Sequence, residues 1–226
     1  MRKKISVIFR SAAALLVLYF AVTGAQEALA YQTDIAGPLL NRTTIALDSV
    51  STLVEYYPSV QPEPTSGTNT IDYTKLIQVA NTGYVDEYIR VKLVFSDSDV
   101  ESKTSFSSDA ADYYPVSAYS SHLPEGWVYN SSDGFYYYTA ILEAGDWEEY
   151  AKNLTYDESD GQYYYKDTDF YTAPIITTPL VRYMKTVFDG PVDMRSYYLY
   201  VYEESVPFYF GNDYADAWEN YLADYQ

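Results

Sequence analysis

Residues 88–95, YIRVKLVF, alternate between two kinds of side chain over eight positions, and this pattern constrains the fold more than any other stretch. The apolar members are Ile89, Val91, Leu93 and Phe95. The two basic residues between them, Arg90 and Lys92, would face the opposite side. A period of two predicts a half-buried β-strand.

The stretch before this strand predicts a second strand and a turn. Residues 75–81, KLIQVAN, have β character, and NTGY at 81–84 follows them. Gly83 could supply a positive φ in this turn. We therefore expect a β-hairpin over residues 75–95.

Other stretches divide into strand-like and loop-like segments. Residues 41–57 predict one or two strands, and residues 174–188 and 196–210 return to β character. The Pro-, Ser- and Gly-containing stretch 58–69 predicts a loop. Residues 96–124 are polar and poorly periodic, so we expect a long surface insertion there.

The C-terminal residues 212–225 change to a helical period. Tyr214, Trp218, Tyr221, Leu222 and Tyr225 recur at helical spacing. Asn212 or Asp213 could cap the start of the helix. We expect one short helix that covers an edge or an end of a sheet.

Two similar segments predict two hairpins. YNSSDGFYYY at 129–138 returns as YDESDGQYYY at 156–165. Gly134 and Gly161 would take the left-handed position of each turn. Common turn chemistry explains the likeness better than duplication does. Because tyrosines would lie on both faces of the returning strands, we expect an aromatic contact surface, formed by Trp127, Tyr136, Tyr138, Tyr163 and Tyr165.

The first thirty residues have the pattern of a secretory signal peptide. Four basic residues precede an apolar run, and Ala28 and Ala30 then form an A-x-A site before Tyr31. We predict export and cleavage after Ala30, with a single domain over 31–226. An uncleaved membrane anchor is the alternative.

Charge and cysteine content limit the partners. Four of the 14 basic and one of the 32 acidic residues lie in the leader, so the remaining chain carries 10 and 31 and a formal charge of −21. Such a polyanion repels nucleic acid and anionic membranes. An exported chain without cysteine must fold on its core alone and fits Gram-positive export.

No motif in the sequence predicts an enzyme, a cofactor or a metal site. His122 is the single histidine, there is no cysteine, and neither G-x-S-x-G nor H-E-x-x-H occurs. The acidic stretches 96–99 and 157–161 do not match an EF-hand loop, and solvated turns explain them better than calcium sites. Carboxylate pairs suited to glycoside hydrolysis stay open, since nothing singles out a pair.

Five blocks, in order, resemble the TasA/camelysin-type family of exported proteins. They are YQTDIAGPLLNRTTIAL (31–47), VANTGYVDEYIRVKL (79–93), GWVYNSSDGFYYYTAILEAGD (126–146), TTPLVRYMKTV (177–187) and YYLYVYEESVPFYFGNDYADAW (197–218). The resemblance implies an all-β, jelly-roll-like antiparallel sandwich and processing by a SipW-type signal peptidase.

The resemblance also implies a role as a subunit of extracellular biofilm-matrix fibres. Its partners would then be further copies of itself or related matrix subunits. The segment freed by cleavage would add as a strand to the next subunit. It carries Tyr31, Ile35, Leu39, Leu40, Ile45 and Leu47. Members of the family have also been described as metalloproteases, which this sequence does not support. Two other interpretations stay open, an adhesin that binds matrix polysaccharide through exposed tyrosines and a secreted hydrolase.

Overall fold

The computed structural model describes residues 43–44, 50–56, 68–159, 161–190 and 197–225. The strands are β1 (Thr43–Thr44), β2 (Ser51–Tyr56), β3 (Thr70–Asn81), β4 (Glu87–Phe95), β5 (Thr104–Ser107), β6 (Tyr114–Pro115), β7 (Trp127–Asn130), β8 (Phe135–Tyr138), β9 (Leu154–Asp157), β10 (Gln162–Tyr165), β11 (Val181–Val187) and β12 (Leu199–Pro207). The helices are α1 (Ser98–Ser102), α2 (Val116–Tyr119), α3 (Trp147–Ala151) and α4 (Tyr214–Tyr225), and a 3₁₀ turn spans Phe208–Phe210.

These strands form two sheets that pack face to face. The five-stranded sheet has the order β1-β12-β4-β8-β7, and the seven-stranded sheet has the order β6-β5-β11-β3-β2-β10-β9. Neighbouring strands are antiparallel except for β1 with β12 and β10 with β2. The predicted all-β sandwich with a C-terminal helix is confirmed.

The main core lies between the two sheets and follows from strand periodicity. Ile89 and Val91 of β4 and Val201 of β12 are fully buried against Leu53 and Ile77 of the other sheet. The alternation read in residues 88–95 thus marks the inner face of a central strand.

The predicted hairpin over residues 75–95 is wrong. β3 and β4 belong to different sheets, so the turn between them crosses from one sheet to the other. The Asn81 side chain holds this turn, since its amide nitrogen donates to the Val85 carbonyl at 2.8 Å and its oxygen accepts from the Gly83 amide at 2.8 Å. Gly83 lacks a positive φ; a Cβ there would lie 3.2 Å from the Val50 nitrogen, so close packing explains the glycine.

The predicted surface insertion at residues 96–124 is also wrong. β5 pairs with β11 from Thr104↔Thr186 to Ser107↔Tyr183, so this segment extends the seven-stranded sheet. Val100, Phe106 and Tyr119 are completely buried in the main core. These three residues anchor the segment to the core. They lie too far apart in the sequence to give the alternating pattern that predicts a strand.

Helix α4 covers the outer face of the five-stranded sheet at the end where β4 begins. Its Ala217, Trp218 and Tyr221 pack with Tyr88 and Val206 in a separate apolar cluster. Asp213 caps the helix, because its carboxylate accepts from the amides of Ala215 and Asp216. The alternation places Arg90 on the outer face of the sheet. Because α4 covers this face, the Arg90 side chain is buried beneath the helix.

Candidate functional site

The edge of β12 is the candidate site for strand addition. The predicted cleavage residues Ala28, Ala30 and Tyr31 lie outside the described residues, as do Ile35, Leu39, Leu40, Ile45 and Leu47 of the predicted assembly strand. Thr43 and Thr44, which fall between these positions, are described and form β1. The segment 31–47 therefore contributes at least this short strand to a sheet.

The two sides of β12 differ in how much of the strand is paired. On one side β12 pairs with β4 over its whole length, from Leu199↔Phe95 to Pro207↔Glu87. On the other side, within the described part of the chain, it pairs with β1 at Thr43↔Glu204 and Thr44↔Ser205. Most of this second side is a strand edge as far as the described residues go, and such an edge can accept a further strand.

The inner face of this edge is polar. Glu203 is 1% exposed, and the Ser51 hydroxyl of β2 donates to its carboxylate across the sandwich. On β2, Glu55 is also buried and forms an ion pair with Lys75 at 2.6 Å. Burying a carboxylate costs free energy unless hydrogen-bond donors or a cation compensate its charge. The carboxylates of Glu203 and Glu55 therefore each need such a group beside them.

The outer face of β12 is aromatic. Tyr198 and Tyr200 stack with ring centroids 6.0 Å apart, and both rings are half-buried. Beside them Glu204 binds the Arg90 guanidinium at 2.5 Å. The inner face of β12 thus carries buried apolar side chains and a carboxylate, and its outer face carries aromatic rings and an ion pair.

The predicted aromatic contact surface is mostly interior. Trp127, Tyr136, Tyr138 and Tyr165 are buried, and Tyr163 is half-buried. Three of them, Trp127, Tyr136 and Tyr138, belong to the main core. The expectation of exposed rings at the four buried positions is incorrect, because the facing sheet or neighbouring loops cover them.

The two tyrosine hairpins nevertheless share one local structure. β7 with β8 and β9 with β10 are antiparallel pairs closed by four-residue loops, in which Gly134 has a φ of 77° and Gly161 a φ of 74°. The amides of these glycines donate at 2.9 Å to the carbonyls of Asn130 and Asp157. The predicted turn geometry is confirmed.

Each hairpin also carries a more exposed tyrosine directly opposite a less exposed one on the same face. Tyr129 lies 4.8 Å from Tyr136 between ring centroids at 46°, and Tyr156 lies 4.9 Å from Tyr163 at 47°. Tyr129 is 38% exposed and Tyr156 is 52% exposed. Sequence reasoning missed these two rings, although both precede the turn at the same offset in the repeated segment.

Burial changes the acidity of several tyrosines. Desolvation raises the pKa of Tyr136 to about 12 and, in the second hairpin, raises the pKa of Tyr165 to about 12. Burial, together with the hydrogen bond to Tyr165, also raises the pKa of Tyr150. The Tyr165 hydroxyl donates to Gln78 at 2.7 Å and lies 2.7 Å from the Tyr150 hydroxyl. These rings are neutral structural groups at ordinary pH.

The described residues contain no group of three or more His, Asp or Glu side chains placed to hold a metal ion. His122 stacks on Tyr114 with ring centroids 3.6 Å apart. In the second acidic stretch, the Asp157 carboxylate accepts from the Ser159 amide and hydroxyl within its own turn. In the described part of the chain, no helix is both long enough and apolar enough to span a membrane.

Comparison with known proteins found no match for this chain. No family model matches the chain, and neither does any curated protein or any solved structure.

Proposed function

We propose that this protein is an exported structural protein, a subunit or accessory component of extracellular biofilm-matrix fibres. The segment that begins at Tyr31, freed by a SipW-type signal peptidase, would add as a strand to the next subunit. The observation that carries the proposal is the parallel pairing of Thr43 and Thr44 with β12. This pairing supports the idea that the segment 31–47 is β-competent and that β12 is the strand it meets.

Exchange of the segment between copies is physically plausible because β1 lies at the edge of its sheet. A strand at a sheet edge can leave its own sheet and occupy the same edge of a neighbour, which is domain swapping. Head-to-tail donation generates a fibre when the rotation between successive copies does not close into a ring.

Deletion of the segment tests the proposal. Chains that begin at Tyr31 and chains that begin at Asp48 would be incubated at moderate salt and imaged by electron microscopy. We expect fibres from the first and none from the second. Circular dichroism would show whether the shortened chain keeps its β structure. Fibres of unchanged length and number from the shortened, folded chain would reject strand donation.

Binding of matrix polysaccharide is a second candidate function, and the matched exposure of Tyr129 and Tyr156 favours it. Exposed aromatic rings can pack on the apolar faces of sugar rings. A glycan array probed with the wild-type chain and with the Tyr129→Ala, Tyr156→Ala double variant tests it. Tyr171→Ala, which removes another ring that is 43% exposed, is the matched control. Equal binding by both variants would contradict this function.

A further inference from the structure

An open cleft of about 340 Å³ lies between the 3₁₀ turn that follows β12 and the C-terminal half of helix α4. Its lining, within the described part of the chain, consists of Tyr209, Phe210, Asn220, Ala223 and Asp224. This volume is at the lower end of the range for small-molecule sites and suits one ring-sized group. The cleft includes no residue of the segment 31–47 and neither Tyr129 nor Tyr156, so its properties do not depend on strand donation or on the exposed tyrosine pair.

One wall of the cleft is aromatic and open to solvent. Tyr209 is 55% exposed, and its ring stacks on that of Phe210 with centroids 5.5 Å apart and planes at 27°. The ring of Phe210 lies 5.7 Å from that of Tyr221 on α4, within the apolar cluster beneath the helix. The wall is therefore anchored, and Tyr209 can offer a ring face to a ligand with little loss of side-chain freedom.

The opposite wall, formed by α4, is polar. Asn220 donates from its amide nitrogen to the Phe210 carbonyl at 2.7 Å and so joins the two walls. The side-chain oxygen of Asn220 is a hydrogen-bond acceptor at the cleft. Asp224 adds a carboxylate, and the small side chain of Ala223 leaves room beside it. This wall thus offers acceptors to a ligand that carries donors.

The charges along α4 are all negative. Asp216, Glu219 and Asp224 lie on the helix, and residues 196–226 contain no Lys, Arg or His. Asp224 is in the last turn, where the negative end of the helix macrodipole disfavours a carboxylate unless a cation is nearby. The faces of aromatic rings also attract cations. The cleft therefore favours a ligand that combines an apolar face with a positive charge.

We propose that this cleft binds a hexosamine unit of a polysaccharide, that is, a sugar whose amino group is free and carries a positive charge. The C–H face of the sugar ring packs on Tyr209, and the ammonium group binds the carboxylate of Asp224. A hydroxyl group of the sugar donates to the side-chain oxygen of Asn220. A neutral sugar lacks the charge contact, and an acidic sugar is repelled. A lysine side chain has the charge but neither the ring face nor the hydroxyl groups.

Two sugar probes that differ in charge test the proposal. Chains beginning at Tyr31 would be titrated with the glucosamine trimer and with the N-acetylglucosamine trimer, and the shifts of backbone amides would be followed by nuclear magnetic resonance. We expect the glucosamine trimer to bind about 5-fold more tightly, as one exposed ion pair at a helix C-terminus allows. The amides of residues 208–211 and 220–224 should shift. No binding, equal affinity of the two trimers, or shifts confined to other residues would overturn the proposal.

Paired variants separate the cleft from the net charge of the protein. Asp224→Asn should abolish the preference for the glucosamine trimer, because it removes the carboxylate with little change in volume. Glu219→Gln, which removes a carboxylate of the same helix outside the lining of the cleft, is the matched control and should keep the preference. Equal effects of the two variants would mean that net charge attracts the probe, and the proposal would be wrong.

A second pair of variants tests the aromatic wall. Tyr209→Ala should weaken binding of both trimers on the order of 10-fold, because the sugar loses the ring on which it packs. Tyr84→Ala, which removes a ring that is 98% exposed, should leave both affinities unchanged. If instead the Tyr129→Ala, Tyr156→Ala double variant loses binding and Tyr209→Ala keeps it, the sugar site is the exposed tyrosine pair and not this cleft.

A lysine trimer separates a sugar ligand from a cationic peptide. It carries positive charge but has no sugar ring to pack on Tyr209 and no hydroxyl group for Asn220, so we expect it to bind more weakly than the glucosamine trimer. If the lysine trimer binds as tightly, and Asp224→Asn weakens it equally, the cleft recognises cationic peptides and the assignment to a hexosamine is overturned.

Discussion

At the scale of single residues, Arg90 shows how a charge can stabilise an aromatic protein. Its guanidinium carbon lies 4.2 Å from the ring centroid of Phe135 and 4.2 Å from that of Trp218. It also donates to the Tyr137 hydroxyl at 3.1 Å and binds Glu204. The faces of the planar guanidinium pack on the two rings while its N–H groups donate to the two oxygen acceptors. These contacts together explain how a charged residue can be buried under α4.

Replacing this arginine by lysine tests the arrangement. Lysine keeps the charge but has no plane to stack between two rings and cannot form the forked hydrogen bonds. We expect Arg90→Lys to lower the free energy of unfolding by about 2 kcal/mol. Urea denaturation measures the change. Arg182→Lys is the matched control, since Arg182 is only half-buried and lies 4.5 Å from the Phe170 ring. Equal losses in the two variants would contradict the stacking argument.

The turn glycines of the two hairpins allow a second prediction at this scale. Positive φ is unfavourable for residues with a Cβ, and the space around both glycines is open enough that conformation alone decides the cost. Gly134→Ala and Gly161→Ala should each lower the free energy of unfolding by about 1 kcal/mol.

Asparagine and a reversed substitution control this prediction. Asparagine tolerates the left-handed region, so Gly134→Asn should cost less than Gly134→Ala. Ala110 has a φ of 67°, and Ala110→Gly should therefore stabilise the protein, by about 0.5 kcal/mol. Thermal unfolding of all four variants is sufficient, and a stabilising Gly134→Ala would refute the assigned turn conformation.

At the scale of elements, the sequence predicted strands better than it predicted their partners. The alternation in β4 predicted the inner face, and the helical period predicted α4 with Asn212 or Asp213 as its cap, of which Asp213 has this role. Neither pattern says which strand lies beside which. The turn after Asn81 resembles a hairpin turn locally, yet β3 pairs with the preceding strand β2 and with the distant strand β11, and not with β4.

The candidate site shows a related limit. The alternation of Glu203 with Leu199 and Val201 favours the inner face, whereas the charge of its side chain favours solvent. The segment that holds β5 was missed because its buried residues are few and separated by polar turns. In both cases tertiary packing overrides the local composition, and a single sequence carries too little information to show it.

The junction before α4 leads to a prediction about this element. A Cβ on Gly211 would collide with the backbone of Ala217 in the first turns of the helix. Gly211→Ala should push α4 away from the sheet and cost about 1–3 kcal/mol of unfolding free energy. Tryptophan fluorescence should shift to the red as buried Trp218 gains access to water. Asn212→Ala, at the next and exposed position, is the control; an unshifted spectrum in Gly211→Ala would contradict the close contact.

At the scale of the whole molecule, buried tyrosines set an alkaline limit to stability. The pKa of Tyr136 in the folded chain, about 12, exceeds the ordinary value near ~10 that applies when the chain unfolds. Below pH ~10 both states are protonated and the difference has no effect. Between about pH 10 and 12 the unfolded chain loses the proton first, so stability falls as pH rises, by up to ~1.4 kcal/mol per pH unit for each such residue.

Urea unfolding between pH 8 and 11 checks this limit. Tyr136→Phe should reduce the loss of unfolding free energy above pH ~10 by the contribution of one tyrosine. The reason is that phenylalanine has no proton to lose. An identical pH slope in wild type and Tyr136→Phe would show that this ring does not contribute.

The net charge leads to the last prediction, which concerns assembly. A chain beginning at Tyr31 carries a formal charge of −21, and subunits brought together in the proposed fibre would repel one another. The screening length falls from ~30 Å at 0.01 M salt to ~8 Å at 0.15 M, which is shorter than a subunit. We expect elongation to accelerate steeply over this range and then to level off. Elongation rates in sodium chloride and in potassium chloride should coincide at equal ionic strength, since screening depends on charge and not on a specific ion. A rate that falls with added salt would mean that attraction between opposite charges, and not relief of repulsion, limits the joining of subunits.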